Sequence, residues 1–162
     1  MGDEGKLYNG VTEATVDHMR AMCAVADYVM PNYTEAAYLA GAPIQEELTH
    51  AEADALVDAL RALGAKSVLL TSAKVEGQFC VAGYDHVKAE RFLLPFEMVP
   101  VFFSGTGDIF SGILTGRVLD GQPLLRAVQC AMDAIRVMIL RHQANEDHYG
   151  GIPIETCLDV LN

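Results

Sequence analysis

The 162-residue sequence predicts an α/β domain in which helices pack on a largely parallel central sheet. Three observations support this fold class. Segments in which apolar residues recur at helical spacing alternate with short apolar runs typical of buried strands. Two further strand-like segments then follow one another directly, as in a hairpin. Hydrophobic residues make up 51% of the chain, which indicates a globular protein with a core of ordinary size.

The first part of the chain is predicted to alternate helices and strands. Asn32 and Thr49 are each followed three residues later by glutamate, the capping-box pattern that marks the start of a helix. Gly41 and Gly64 suit the ends of these two helices, since glycine is common just past a helix C-terminus. The expected elements are a loop over 1–11, a helix over 12–26, a strand over 27–30, helices over 32–39 and from 49 to about 63, and a strand over 67–71.

The second part is predicted to begin with the two hairpin strands and to continue with helices. The expected elements are strands over 77–84 and 87–94, helices over 107–119 and from 123 to about 142, a polar loop over 145–151, and a short final helix from 153. The sequence contains no internal repeat and no obvious linker. Residues 1–162 are therefore expected to form a single domain.

Charge and composition exclude several classes of partner. The formal net charge is -11 and no Lys/Arg-rich run is present, so nucleic acid and anionic membrane surfaces are not expected partners. No apolar run approaches the roughly 18 residues of a membrane-spanning helix, and no signal-peptide pattern is visible. The four cysteines are widely spaced, which favours free thiols in a reducing compartment. A cytoplasmic protein is expected.

The segment over 103–112 is the strongest candidate for a functional site. It places Gly105, Gly107 and Asp108 where a loop becomes a helix. Glycines let the backbone approach a ligand, and the first N–H groups of a helix can bind an anion. A carboxylate beside a bound phosphate could accept a proton from an attacking hydroxyl. The alternative is a glycine-rich turn with Asp108 as an ordinary N-cap; the pattern is neither a P-loop nor a Rossmann fingerprint.

Three other positions are candidates for binding a metal or a nucleotide. Glu35 either completes the capping box begun by Asn32 or faces a hydrated magnesium ion. Asp3 is either solvated or an acidic ligand in a glycine-rich loop. Thr71 and Ser72 follow an apolar run, and ligands of open α/β sheets bind beyond the carboxyl ends of strands. A plain transition from strand to loop would give the same pattern.

Taken in order, these segments resemble the pyridoxal kinases of the ribokinase-like superfamily. The resemblance is carried by four segments, 1–8, 31–36, 70–72 and 104–112. The related hydroxymethylpyrimidine kinases share the Gly-Thr-Gly but usually have cysteine at the position of Asp108. Sugar kinases of the superfamily more often have alanine at the position of Thr106.

The resemblance implies transfer of the ATP γ-phosphoryl group to the 5′-hydroxymethyl group of pyridoxal, pyridoxine or pyridoxamine. Asp108 would be the base, and the backbone N–H groups of Gly105, Thr106 and Gly107 would stabilise the transferring phosphoryl group. Asp3 and Glu35 would help to organise Mg2+. The contacts to the nucleotide phosphates or their ions would come from Asn32, Thr71 and Ser72.

The resemblance also implies that a substantial N-terminal part of the fold precedes the segment where this sequence begins. The chain then corresponds to the C-terminal half, which binds the nucleotide and carries the catalytic loop. Strands without their neighbours favour association, so a homo-oligomer is expected. Two alternatives stay open: a nucleotide-binding or structural remnant without turnover, and a hydroxymethylpyrimidine kinase.

Overall fold

The computed structural model describes residues 1–145 and 149–161 and divides the chain into two compact units, 1–97 and 98–162. The expectation of a single domain over 1–162 stays a prediction. Part of the polar loop predicted over 145–151 lies outside the described residues.

The first unit contains six strands and three helices among its described residues. In chain order they are β1 (Gly2–Asp3), β2 (Lys6–Leu7), α1 (Glu13–Cys23), β3 (Tyr28–Val29), α2 (Tyr33–Ala40), α3 (His50–Ala62), β4 (Ser67–Val75), β5 (Gln78–Asp85) and β6 (Glu90–Pro95). The helix starts follow the predicted caps. The side chains of Asn32 and Thr49 accept hydrogen bonds from the third backbone N–H of α2 and α3, respectively. Gly41 ends α2 in a left-handed conformation with φ 66°.

The main sheet has the strand order β3-β4-β5-β6 and is mixed. The α/β class is confirmed, but the expectation of a largely parallel sheet is wrong for these strands. Only β3 and β4 are parallel, while β4–β5 and β5–β6 are antiparallel. The reason is the length of the connections. A parallel pair needs a crossover, which only the segment containing α2 and α3 supplies, whereas two to four residues join the other strands.

The N-terminal residues form a small hairpin instead of the predicted loop. Gly2 and Asp3 pair with Lys6 and Leu7 in an antiparallel ladder. Glu4 and Gly5 occupy the turn with φ 47° and 79°. Positive φ at both central residues is the signature of a type I′ turn, the usual two-residue hairpin connection. Strands of two residues are too short for any alternation of apolar and polar residues to reveal them.

The core of the first unit lies between the helices and the main sheet. It is formed by apolar side chains of α1, α2, α3 and the strands, among them Val16, Ala36, Leu60, Val68, Leu70 and Cys80. Burial raises the pKa of the Cys80 thiol to about 11. All four cysteines of the chain are free thiols.

The second unit contains two long helices and a compact C-terminal segment. They are α4 (Thr106–Leu119) and α5 (Leu124–His142), followed by 3₁₀ turns at Ile154–Thr156 and Leu158–Leu161. These two turns replace the single final helix that was predicted. Phe103, Met138, Ile152 and Cys157 form the buried cluster that joins the loop before α4 to α5 and to this segment. None of the helices in the described ranges is long and apolar enough to cross a membrane.

Candidate active site

The N-terminus of α2 is held by reciprocal hydrogen bonds between Asn32 and Glu35. Asn32 Oδ1 accepts from the Glu35 N–H at 2.9 Å, and Glu35 Oε2 accepts from the Asn32 N–H at 3.1 Å. The Asn32 amide also donates to the Gly2 carbonyl at 2.8 Å. The Gly5 N–H donates to Oγ1 of the buried Thr34 at 2.9 Å. The β1–β2 hairpin is thereby fixed against the start of α2.

Glu35 keeps one carboxylate oxygen that the capping box does not use. Oε1 lies 2.6 Å from the N-terminal ammonium of Met1, so a positive group already sits against it. Asp3 is exposed, and its Oδ1 accepts from the Glu4 N–H at 2.9 Å. Within the described ranges, no three His, Cys, Asp or Glu side chains are grouped to hold a metal. Asp3 and Glu35 offer carboxylate oxygens, the type of ligand that Mg2+ prefers alongside water.

Thr71 and Ser72 form a β-bulge inside β4, so the expectation that they end the strand is wrong. Leu70 pairs with Ala82 and Ala73 pairs with Cys80, which leaves two residues opposite one on β5. The bulge opens the ladder because Ser72 adopts a left-handed backbone with φ 56°. Ser72 is exposed and Thr71 is partly exposed. The bulge turns two polar residues out of a mostly buried strand.

The bulge lies beside the start of α2. Asn32 and Thr71 form an isolated parallel bridge, and the Thr71 N–H donates to the Pro31 carbonyl at 2.9 Å. The Thr71 hydroxyl donates to the same carbonyl at 3.3 Å. The structure therefore brings Asn32 together with Thr71, and through the Gly2 carbonyl it brings Asn32 to the hairpin that carries Asp3. These contacts join segments that are far apart in the sequence.

The N-terminus of α4 is open in the described part of the chain. Its N-cap is Gly105, with φ 80°, and no side chain caps the helix there. The interpretation of Asp108 as an N-cap is therefore wrong, since Asp108 lies in the first turn, three residues inside the helix. The N–H groups of this turn have no intrahelical carbonyl to bond. Together with the helix dipole, they can stabilise an anion.

Asp108 borders a groove of about 640 Å³ within the second unit. Gly112 and Gly116 leave one side of α4 without side chains, and a Cβ on either would meet no other described atom within 4 Å. The exposed Asp108 carboxylate is thus accessible to a ligand in the groove. The groove is lined by Asp108, Ile109, Gly112, Ile113, Gly116, Arg117, Asp120, Ile154 and Leu161.

Comparison with known proteins assigns the chain to a family. The model of the phosphomethylpyrimidine kinase family matches residues 8–152. The chain belongs to this family. The pyridoxal kinase of Arabidopsis thaliana is 30% identical over 168 residues, which cover 99% of this chain and 52% of that protein. The hydroxymethylpyrimidine/phosphomethylpyrimidine kinase of Haemophilus influenzae is 31% identical over 125 residues, which cover 71% of this chain and 43% of that protein.

A solved structure shows the same fold over nearly the whole chain. A candidate phosphomethylpyrimidine kinase of Bacteroides thetaiotaomicron, crystallised with pyridoxal, superposes with a TM-score of 0.91 at 29% identity. The match covers 99% of this chain and 58% of that one. The resemblance to pyridoxal kinases and the ribokinase-like fold are confirmed. The chain spans about half the length of the curated relatives it matches.

In this member of the phosphomethylpyrimidine kinase family, the sequence does not single out two residues that the structure places beside the candidate site. Thr34, which lies between Asn32 and Glu35 in the sequence, is buried and accepts a hydrogen bond from the Gly5 N–H. Gly151 has φ 78° and packs against the Ser104 carbonyl, directly before Gly105. The Gly-Gly pair at 150–151 was the available signal for a special backbone position.

Proposed function

We propose that this chain carries the phosphoryl-transfer part of an ATP-dependent kinase that phosphorylates the 5′-hydroxymethyl group of pyridoxal, pyridoxine or pyridoxamine. The observation that carries the proposal is the uncapped N-terminus of α4 with Asp108 in its first turn, facing an accessible groove. The similarity to a pyridoxal kinase along 99% of the chain supports the choice of substrate. So does the Bacteroides protein, which was crystallised with pyridoxal.

In the proposed reaction, Asp108 acts as the base. Its carboxylate accepts the proton of the hydroxymethyl group while the hydroxyl oxygen bonds to the γ-phosphorus and the bond to ADP breaks. The N–H groups of Gly105, Thr106 and Gly107 stabilise the negative charge on the transferring group. Fixed backbone dipoles of this kind need no reorganisation during the reaction, which is why they contribute strongly to catalysis.

The first unit is proposed to hold the nucleotide and its ion. Asn32, Thr71 and Ser72 contact the nucleotide phosphates or their ions, and the contact between the bulge and the start of α2 supports this grouping. Asp3 and Glu35 orient Mg2+ through its water ligands. When bound, the ion neutralises phosphate charge, which a protein of net charge -11 would otherwise repel.

The test is phosphorylation of pyridoxal by the purified chain and by two variants. Asp108→Asn keeps the side-chain shape and removes the base, so kcat should fall by about 10²–10⁴-fold. Asp120→Asn is the matched control, because Asp120 borders the same groove at the other end of α4. An active parent with an equally active Asp108→Asn variant would overturn the assignment of the base.

Two other functions are tested in the same experiments. The family match and the Haemophilus relative favour a hydroxymethylpyrimidine as an alternative substrate, which a substrate panel distinguishes from the B6 vitamers. The second alternative is a nucleotide-binding or structural remnant without turnover. Calorimetry with Mg-ATP, with and without pyridoxal, identifies such a remnant if the nucleotide binds while vitamin binding and turnover are absent.

We further propose a cytoplasmic location and self-association. The four free thiols are consistent with a reducing compartment. Self-association is supported by β3, an edge strand of the main sheet. Val25 and Met22, which precede β3 in the chain, are 86% and 60% exposed. An open sheet edge and exposed apolar side chains both favour contact with a second chain.

A further inference from the structure

Gly151 approaches the loop before α4 so closely that a side chain would make a tight contact there. A Cβ on Gly151 would lie 3.2 Å from the Ser104 carbonyl oxygen, which is shorter than the ordinary contact range of 3.4–4 Å. The backbone of Gly151 is also left-handed, with φ 78°. Glycine adopts this conformation without strain, whereas other residues do not. Both the space and the backbone therefore favour glycine here.

The segment that carries Gly151 is anchored on both sides of the contact. Ile152, the next residue, is buried in one cluster with Phe103, the residue before Ser104. Further along, Asp159 forms a bidentate ion pair with Arg141 of α5, with two N–O distances of 2.7 Å. The Arg141 hydrogen bond lowers the pKa of the Asp159 carboxyl. The contact between Gly151 and Ser104 is thus set between packed elements.

The Ser104 carbonyl is coupled to the proposed anion-binding N–H groups. Its oxygen and the Gly105 N–H belong to one planar peptide group, so a displacement of the oxygen turns the N–H as well. Gly105 is the N-cap of α4, and its left-handed backbone sets the direction of the first helical N–H groups. A shift of a few tenths of an ångström at Ser104 therefore reaches the groups that would face the phosphoryl oxygens.

We propose that Gly151 is a positioning residue for the phosphoryl-binding loop. It acts through the Ser104–Gly105 peptide and touches no substrate. This inference rests on the proposed function for its effect on turnover. Its structural content, that Gly151 fixes the direction of the Gly105 N–H, does not depend on turnover.

The test compares Gly151→Ala with Gly121→Ala in the full chain. Gly121, at the C-terminal end of α4, has φ 82°, and a Cβ there would meet no described atom within 4 Å beyond its chain neighbours. Both variants add the same backbone strain, but only Gly151→Ala adds the contact with Ser104. Ile152→Val provides a milder change in the same segment if Gly151→Ala does not fold.

Three measurements are compared between the two glycine variants. In ¹H–¹⁵N spectra, the amide signals of Gly105 to Gly107 should shift in Gly151→Ala and stay in place in Gly121→Ala. Inorganic phosphate, titrated as the probe, should bind several-fold more weakly to Gly151→Ala alone. With ATP and pyridoxal, kcat should fall by about tenfold while the KM for pyridoxal is unchanged, because displaced N–H groups stabilise the transition state less well.

The outcomes separate this inference from the proposed function. If the amide signals and the phosphate affinity of Gly151→Ala equal those of Gly121→Ala, the positioning role is wrong, whatever the turnover. If the parent chain turns over no substrate but the amide signals shift as expected, the kinase proposal fails while the positioning role stands. With Ile152→Val, unchanged Gly105 to Gly107 signals would also contradict the inference.

Discussion

Ser72 combines a strained backbone with a proposed role in binding the nucleotide. Its φ of 56° lies in the left-handed region, which costs a residue with a Cβ about 1 kcal/mol relative to glycine. The strain is not offset by a buried contact of the side chain, because the Ser72 side chain is exposed. Strained residues at a bulge often point a polar group at a ligand. The left-handed backbone of Ser72 therefore indicates a functional role for this residue and not a stabilising one.

We predict that Ser72→Gly separates these two effects. The free energy of unfolding should stay the same or rise by up to about 1 kcal/mol, because glycine relieves the left-handed strain. The affinity for Mg-ATP should fall, because the hydroxyl is lost. Ala89→Gly is the matched control, since Ala89 has φ 55° in the turn between β5 and β6. Denaturant unfolding and calorimetry measure both quantities, and equal Mg-ATP affinities for the two variants would refute the role of Ser72.

At the scale of the element, α2 and α3 begin in the same way, but the glutamates at their N-termini are proposed to have different roles. Each starts with a capping box whose glutamate accepts from the N-cap backbone N–H. Glu52 of α3 also accepts from the Thr49 side chain, and its hydrogen bonds to Thr49 lower its pKa. Glu35 of α2 instead directs its second oxygen at a positive group. We propose that Glu35 combines the capping function with a metal function.

We predict that Glu35→Gln raises the Mg2+ concentration needed for half-maximal activity by about tenfold, the usual effect of losing an outer ligand. Glutamine can replace glutamate in a capping box, so the helix should lose less than about 1 kcal/mol. Glu52→Gln makes the same change in α3 and should leave the Mg2+ requirement unaltered. Activity titrated against Mg2+ at saturating ATP provides the measurement. The same Mg2+ requirement in both variants would show that Glu35 serves only as a cap.

The elements that the sequence predicts well are those whose signals are local. The capping residues Asn32 and Thr49 lie next to the helices they start, and the order of motifs was enough to indicate the ribokinase-like fold. The β1–β2 hairpin is not predictable from the sequence because two-residue strands have no periodicity. The bulge at 71–72 is not predictable because its cause is the register with β5. The contact of Gly151 with Ser104 joins residues 47 positions apart, and only the folded chain reveals it.

At the scale of the whole molecule, the strong negative charge and the open edge of the main sheet act in opposite directions. A net charge of -11 disfavours association of two copies at low salt. The edge strand β3 and the exposed apolar residues before it favour association. At 0.1 M ionic strength, salt largely screens the repulsion between charges that are more than about 10 Å apart. The balance should therefore shift toward the oligomer as ionic strength rises.

We therefore predict a dimer or larger oligomer whose population increases with protein concentration and with salt, measured by size-exclusion chromatography with light scattering. Val25→Glu should weaken the association, because it places a charge beside the edge that β3 leaves open. Leu119→Glu is the control, because Leu119 lies in the second unit and is 82% exposed, compared with 86% for Val25. It adds the same charge at a distant position in the sequence and should have a smaller effect. A compact monomer at every concentration and salt would exclude self-association. If both variants weaken the association equally, the loss of association is due to the added net charge and not to the sheet edge.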